Sequence, residues 1–308
     1  MKDVCIVIPT HERPAYVRRC LAYYASFSCQ IVICDSSQAA WREPLPSNVD
    51  YYHWPGLRFA DKVARAAAMV GEAFVALAPD DDFLFQGAVA KGAHALRSNG
   101  ALSACVGDVL AFPERPPFAI VARRAGGAAH SVSAHAQQNI VSYLENYHQI
   151  LWSLFRRETL QLCFDSLRAA GFANENFFEL SIATLCAGRG GICYIDDYWI
   201  LREVTTREHW GSRHAPITSD NVSTMADDVA RFTALCDSAL FAGAAKLALA
   251  AYLSGSAADV RHAPLRTRIA TVIGGAIARA RDRLLHRVKW RTDRRFAAIL
   301  TALDDGTK

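Results

Sequence analysis

The sequence predicts an α/β protein, a mostly parallel, doubly wound sheet of the Rossmann-like kind, with an α-helical extension at its C-terminal end. Three observations carry this. Residues 1–100 alternate short apolar, β-branched runs with stretches of helical period, the pattern of strands joined by crossover helices. One run, residues 74–78, stops at Pro79 and three consecutive carboxylates, Asp80, Asp81 and Asp82. Open α/β sheets bind ligands at the carboxyl ends of their strands, where that cluster falls. From about Asn221 onward only helical patterns remain.

The elements follow in order. Residues 4–8 (Val-Cys-Ile-Val-Ile) form a buried strand by composition, ended by Pro9. Thr10 to Arg13 is a polar loop, and a helix starts at Pro14, where proline suits the first turn; Val17, Cys20, Leu21 and Tyr24 share its apolar face. Residues 30–34 are a second buried strand, ending at Asp35-Ser36-Ser37. Such a βαβ unit is right-handed with parallel strands, so both loops lie on one sheet edge. Residues 51–54 are a short third strand, 59–69 a helix with Lys62 in its first turn, and 74–78 the strand that brings the carboxylates to the same edge. Residues 86–97 are a helix stopped by Asn99-Gly100.

Beyond residue 100 the pattern is less regular. Strands are expected at 102–109, 118–123, 151–155, 192–195 and 198–201, and helices at 137–149, 157–170 and from Asn174 to Ala187, closed by Gly188. Residues 126–135 read as a polar loop, and 203–216 as a loop rich in His, Trp and Arg. The extension reads as helices at 222–241, 243–254, 264–290 and 293–303. The expected division is therefore 1–215, with halves 1–100 and 101–215, followed by a helical region 216–308.

Composition narrows the function classes. The net charge of +4 over 308 residues is too small to argue for a nucleic-acid partner. Nine cysteines, an odd count with no CxxC pair, fit free buried thiols in a reducing compartment better than a disulfide framework or a zinc site. No apolar run is long enough for a signal-peptide core or a membrane span, so a cytoplasmic protein is expected. Residues 264–291 combine an apolar stripe (Ile269, Val272, Ile273, Ile277) with Arg266, Arg268, Arg279, Arg281, Arg283, Arg287, Lys289 and Arg291. Such a basic amphipathic helix suits peripheral contact with the inner face of the cell membrane, or packing on the catalytic domain with a solvated basic face.

Three adjacent carboxylates repel one another and are costly to hold in a cleft unless a cation neutralises them. Hard cations such as Mg²⁺ or Mn²⁺ prefer oxygen ligands and bridge carboxylates to phosphates. The plainer reading is an acidic turn capping the next helix. Three stretches decide between these by their order. Val7-Ile8-Pro9-Thr10-His11-Glu12-Arg13, Ile33-Cys34-Asp35-Ser36-Ser37 and Pro79-Asp80-Asp81-Asp82 resemble the successive motifs of a GT-A-fold glycosyltransferase of the family 2 type. The resemblance covers roughly residues 3–202 and is specific in the first 90.

The resemblance implies a metal-dependent transfer of a sugar from a nucleotide-diphosphate donor, a UDP-sugar being favoured, to a surface-polysaccharide or lipid-linked acceptor. Pro9, Thr10, His11, Glu12, Arg13 and Asp35 would hold the nucleoside, and Lys62 would touch base or phosphate. The plain alternatives are loop polarity, an Asx turn at Asp35 and a solvated lysine. Asp82 would hold Mn²⁺ or Mg²⁺, with Asp80 or Asp81 on ribose or in a water-mediated metal contact. The family's Glu-Asp pair, whose carboxylate serves as the base of an inverting transfer, is absent here. Glu175 and Glu179 are the candidates, Glu179 being favoured because Phe177 and Phe178 would bury it and raise its pKa; its plain reading is a helix N-terminal glutamate. Arg202, Arg207, Arg213, His209 and His214 would pair with phosphate as the 203–216 loop closes, with His209 completing the metal shell and Trp210 stacking on a sugar. Asn146, His148 and Trp152 are a candidate acceptor wall, Trp152 reading equally as core. A nucleotidyltransferase on a similar scaffold is the enzymatic alternative, though the loop after the first strand lacks the glycines that grip a triphosphate. A GT-A-like binding module that lost its base is the other.

Overall fold

The computed structural model describes residues 1–113, 121–123, 132–204, 213–261 and 294–305. Its strands are β1 (Val4–Thr10), β2 (Gln30–Asp35), β3 (Val49–His53), β4 (Phe74–Leu77), β5 (Phe83–Leu84), β6 (Leu102–Pro113), β7 (Val121–Arg123), β8 (Leu154–Arg156) and β9 (Gly191–Val204). They form one sheet in the order β3-β2-β1-β4-β8-β6-β9-β5, with β7 on β6. Strands β1 to β4 are mutually parallel, β1 pairing with both β2 and β4, and β2 with β3. The far half is mixed: β8 runs antiparallel to β4 and β6, β9 parallel to β6, and β5 antiparallel to β9.

The helices are α1 (Pro14–Tyr24), α2 (Phe59–Met69), α3 (Gln86–Ser98), α4 (Ala136–Glu145), α5 (Arg157–Ala170), α6 (Asn176–Arg189), α7 (Ala226–Ala239), α8 (Ala244–Arg261) and α9 (Ala297–Asp305). Alternation along β1 divides them between two cores. Cys5 and Val7 face one core with α2 and α4 to α8, while Val4, Ile6 and Ile8 face the other with α1, α3 and α9. This is the doubly wound arrangement. Helix α6 is buried on nearly every side, which is why its sequence shows little amphipathic contrast. All nine cysteines are free thiols, and all but Cys193 are buried. Among the described residues no helix is long and apolar enough to cross a membrane.

Several elements differ from the sequence expectations. Pro9 does not end β1; it pairs with Cys34 and Thr10 pairs with Asp35. Residues 7 and 9 point the same way along a strand, towards β4. There the Val7 carbonyl takes the Ala78 N–H, and β4 has ended beyond it, so proline's missing N–H leaves no ladder partner unmet. The strands expected at 192–195 and 198–201 are one strand, β9, irregular in register opposite Gly107 and Asp108. Gly188 lies inside α6, where it gives room to the Leu240 side chain, and the helix closes at Gly190. The two-residue strand β5 was not foreseen. The 264–291 segment, the basic amphipathic helix of the sequence reading, lies outside the described residues, as do 114–120, 124–131 and 205–212 with Arg207, His209 and Trp210.

Candidate active site

The carboxyl ends of β1, β2 and β4 meet at one edge, and their loops are cross-bonded. Glu12 takes a positive φ of 54°, an uncommon conformation for a side chain of its size. It is held there because its N–H donates to Ser37 Oγ at 2.7 Å and its carboxylate accepts from the Gln38 N–H at 2.7 Å. Asp35 is buried; Oδ1 accepts from the Ser37 N–H at 2.8 Å and from its hydroxyl, and Oδ2 accepts from the Tyr51 hydroxyl at 2.7 Å. The Asx turn is thus formed, and a carboxylate's further lone pairs remain for a ligand N–H. Lys62 is buried rather than solvated, and donates to the Thr10 carbonyl and, at 3.0 Å, to Ser36 Oγ. Burial lowers its pKa. It braces the stems of the two loops from below. Pro9 and Thr10 are also buried, whereas His11 is exposed, with Nδ1 3.2 Å from Ser36 Oγ.

The carboxylate triplet is sorted by its neighbours. Asp80 is buried and accepts from Thr10 Oγ1 at 2.6 Å and from Arg13. Asp81 is the outward member, its side chain 26% exposed, and accepts from Arg13 at 3.0 Å. Asp82 turns inward, its side chain 2% exposed, because β5 follows at once and pairs with β9. That pairing sets Asp82 beside the end of β9, where it accepts from Arg202 Nε at 3.1 Å and from the Glu203 N–H at 2.8 Å. Burial pushes the Asp82 pKa up to about 8 against the pull of Arg202. Glu203 is itself held by Arg19 at 2.6 Å and by the Tyr16 hydroxyl at 2.8 Å, and Arg19 also donates to the Asp81 carbonyl at 2.7 Å.

From Arg202 a line of hydrogen bonds leaves the sheet edge. Arg202 Nη1 donates to Gln149 Oε1 at 2.7 Å, and Gln149 Nε2 donates to Glu179. The other Glu179 oxygen accepts from the Tyr147 hydroxyl at 3.3 Å. Glu179 sits in the first turn of α6 and lines a cavity of about 340 Å³ with Tyr147, Asn176, His214, Ile217 and Tyr252. Burial raises its pKa, while Gln149, Arg202 and Tyr147 hold the rise in check. A part-buried carboxylate with raised pKa, facing a cavity, has the character of a general base.

The aromatic side chains that line the cavity with Glu179 are not the expected Phe177 and Phe178. Phe177 and Phe178 turn away from Glu179 to stack on Phe172 and Phe232, with centroids 5.5–6.0 Å apart. Residues one and two apart on a helix do not share a face. Tyr147, which follows α4, and Tyr252 on α8 enclose Glu179 instead, their rings edge to face at 5.1 Å. Glu175 lies beside the cavity, 3.4 Å from His214 Nε2. Of the candidate acceptor wall, Trp152 packs edge-on against Phe59 in the core, and it is the neighbours Tyr147 and Gln149 that reach Glu179. Gln149, Tyr147, Tyr252, Tyr16, Arg19 and Glu203 were missed. None lies in a local motif, and only the fold brings them together.

No protein-family model matches this chain, and no curated protein matches it. Among solved structures it is similar to S. aureus TarS. The structure of TarS 1-349 in complex with UDP-GlcNAc superposes with a TM-score of 0.55 at 12% identity, covering 87% of this chain and 78% of that one. TarS itself gives 0.45 at 14% identity over 66% of this chain and 37% of that chain, so this chain spans little more than a third of TarS. TarS 1-349 in complex with UDP gives 0.46 at 10% identity, covering 86% of this chain and 93% of that one. At such identities the likeness establishes the fold, which is GT-A-like, with a mostly parallel mixed sheet and C-terminal helices.

Proposed function

We propose that this protein is a glycosyltransferase that takes a UDP-sugar as donor and transfers the sugar, with inversion, to a hydroxyl of a surface-polysaccharide or lipid-linked acceptor. The observation that carries the reading is Glu179, a part-buried carboxylate of raised pKa at a cavity wall, tied by two side chains to the carboxylates at the sheet edge. The GT-A-like fold, with a TarS structure that holds UDP-GlcNAc as its match, supports the donor class.

The donor set suits a divalent cation shared with a diphosphate. Among the described residues no group of three His, Cys, Asp or Glu side chains is arranged to hold a metal alone. Mg²⁺ commonly takes one or two carboxylates and fills its shell with phosphate oxygens and water. Asp81 meets that description, being outward, while the side chains of Asp80 and Asp82 are buried among Thr10, Arg13, Arg202 and the Glu203 N–H. The reading therefore moves the metal contact from Asp82 to Asp81, with Asp80 and Asp82 fixing the turn that presents it. Such a cation would neutralise charge on the departing diphosphate.

The chain's own residues do the rest. Asp35 and the interlocked Glu12–Ser37 loops form the nucleoside corner. Arg13 and Arg202, each half-exposed at the triplet, are the cations that a diphosphate would meet. Glu179 accepts the proton of the acceptor hydroxyl as its oxygen bonds to the anomeric carbon and the bond to the diphosphate breaks. The test is UDP release from UDP-sugars, UDP-GlcNAc first, with Mn²⁺ present. Turnover that falls at least ~100-fold in Glu179→Gln supports the reading. Undiminished turnover in that variant would remove Glu179 as the base.

A further inference from the structure

We propose that Gln149 is a positioning residue, whose side-chain amide ties Arg202 to Glu179 and fixes the Glu179 carboxylate at the cavity wall. The proposal rests on the reading of Glu179 as the base. Chemistry restricts what can stand at this position. Arginine only donates and an ionised carboxylate only accepts, so a bridge between them must accept at one end and donate at the other without a charge of its own. A side-chain amide does both, and these partners dictate its orientation, oxygen to Arg202 Nη1 at 2.7 Å and nitrogen to Glu179. Asparagine would be one methylene too short to keep both bonds.

The backbone at Gln149 is preset. It lies in the connection between α4 and β8, where the Tyr143 hydroxyl donates to the His148 carbonyl at 2.7 Å and the next two side chains, Ile150 and Leu151, are buried. The groups facing Glu179 come from every neighbouring element. Tyr147 donates to it, Tyr252 on α8 stands across the cavity, and Arg202 on β9 acts through Gln149. His214 lines the same cavity, with Nε2 3.4 Å from Glu175. Arg202 is also shared, since its Nε serves Asp82 while Nη1 serves Gln149. Gln149 thereby joins the base to the cation at the donor corner.

The experiment is a carbon-13 NMR titration of glutamate side-chain carboxyls in the whole chain, with the Glu179 signal assigned by its loss in Glu179→Gln. The Glu179 midpoint should rise by about one pH unit in Gln149→Leu, which removes the strongest bond to the ionised form. It should rise also in the isosteric Gln149→Glu, which sets a second carboxylate beside it and guards against a folding defect in the leucine variant. The acid limb of kcat for UDP release from UDP-GlcNAc should move with it. A midpoint unmoved in both variants overturns the proposal. A midpoint that moves while the acid limb stays put shows that the tie exists but Glu179 is not the base, and removes the catalytic part of Gln149's role.

Discussion

Desolvation raises the pKa of two carboxylates, the buried Asp82 and the part-buried Glu179, and each makes a pH-dependent prediction. For Asp82, with a pKa of about 8, the folded chain keeps a proton that the unfolded chain, ionising near pH 4, has lost. Stability contributed in this way is present at low pH and is lost as pH rises through the window from about 4 to about 8. The thermal midpoint should therefore fall between about pH 5 and about pH 8, and Asp82→Asn should flatten that fall. For Glu179 the readout is rate: a base must be ionised, so kcat should drop as pH falls through a pKa lying above the ordinary glutamate value. Asp80 to Asp82 and Asp35 were legible because each follows an apolar strand directly. Their division of labour was not, because which of three adjacent carboxylates faces outward depends on the pairing of β5 with β9. Gln149 had no local signal at all. An isolated glutamine in a polar stretch acquires meaning only when Arg202, far along the chain, arrives beside it.

Two elements late in the chain shape the site: β9 holds Asp82 through Arg202 and the Glu203 N–H, and α8 carries Tyr252 to the cavity. Opposite Gly107 of β6, β9 bulges so closely that an added Cβ would stand 2.8 Å from the carbonyl oxygens of Ile195 and Asp197. Gly107→Ala should thus cost roughly 1–3 kcal/mol in urea denaturation, the usual penalty of overpacking against backbone that cannot retreat. Helix α8 closes on the C-terminal end of α4 through Gly255, where a side chain would strike the Glu145 carbonyl. Gly255→Val should push α8 outward, carrying Tyr252 away from Tyr147. Turnover should fall while the affinity for UDP, measured by calorimetry, stays within about twofold. Strands with continuous apolar runs were plain in the sequence, and so were the α2 and α5 boundaries. The bulged β9 read as two strands because Asp196 and Asp197 interrupt its pattern, and β5 is too short for periodicity to register.

For the whole molecule, the parallel half of the sheet gathers the interlocked Glu12 and Ser37 loops, Asp35 and the carboxylate triplet at one edge. The mixed half brings Arg202 to the triplet, the C-terminal helices α7 and α8 pack beside α4, α5 and α6, and Tyr252 of α8 with residues 214–217 completes the cavity around Glu179. The alternation of strand and helix made the first part legible. The second depends on β8 entering the sheet antiparallel between β4 and β6, which no local pattern announces. The proposed function places a nucleoside diphosphate with a divalent cation at the triplet edge, held through Asp81. Isothermal titration of the full chain with UDP, with and without Mn²⁺, tests this most directly. One site is expected whose affinity depends on Mn²⁺, falls by at least about tenfold in Asp81→Ala, and is kept in Glu179→Gln. No binding in the native protein, or equal affinity in Asp81→Ala, would contradict it.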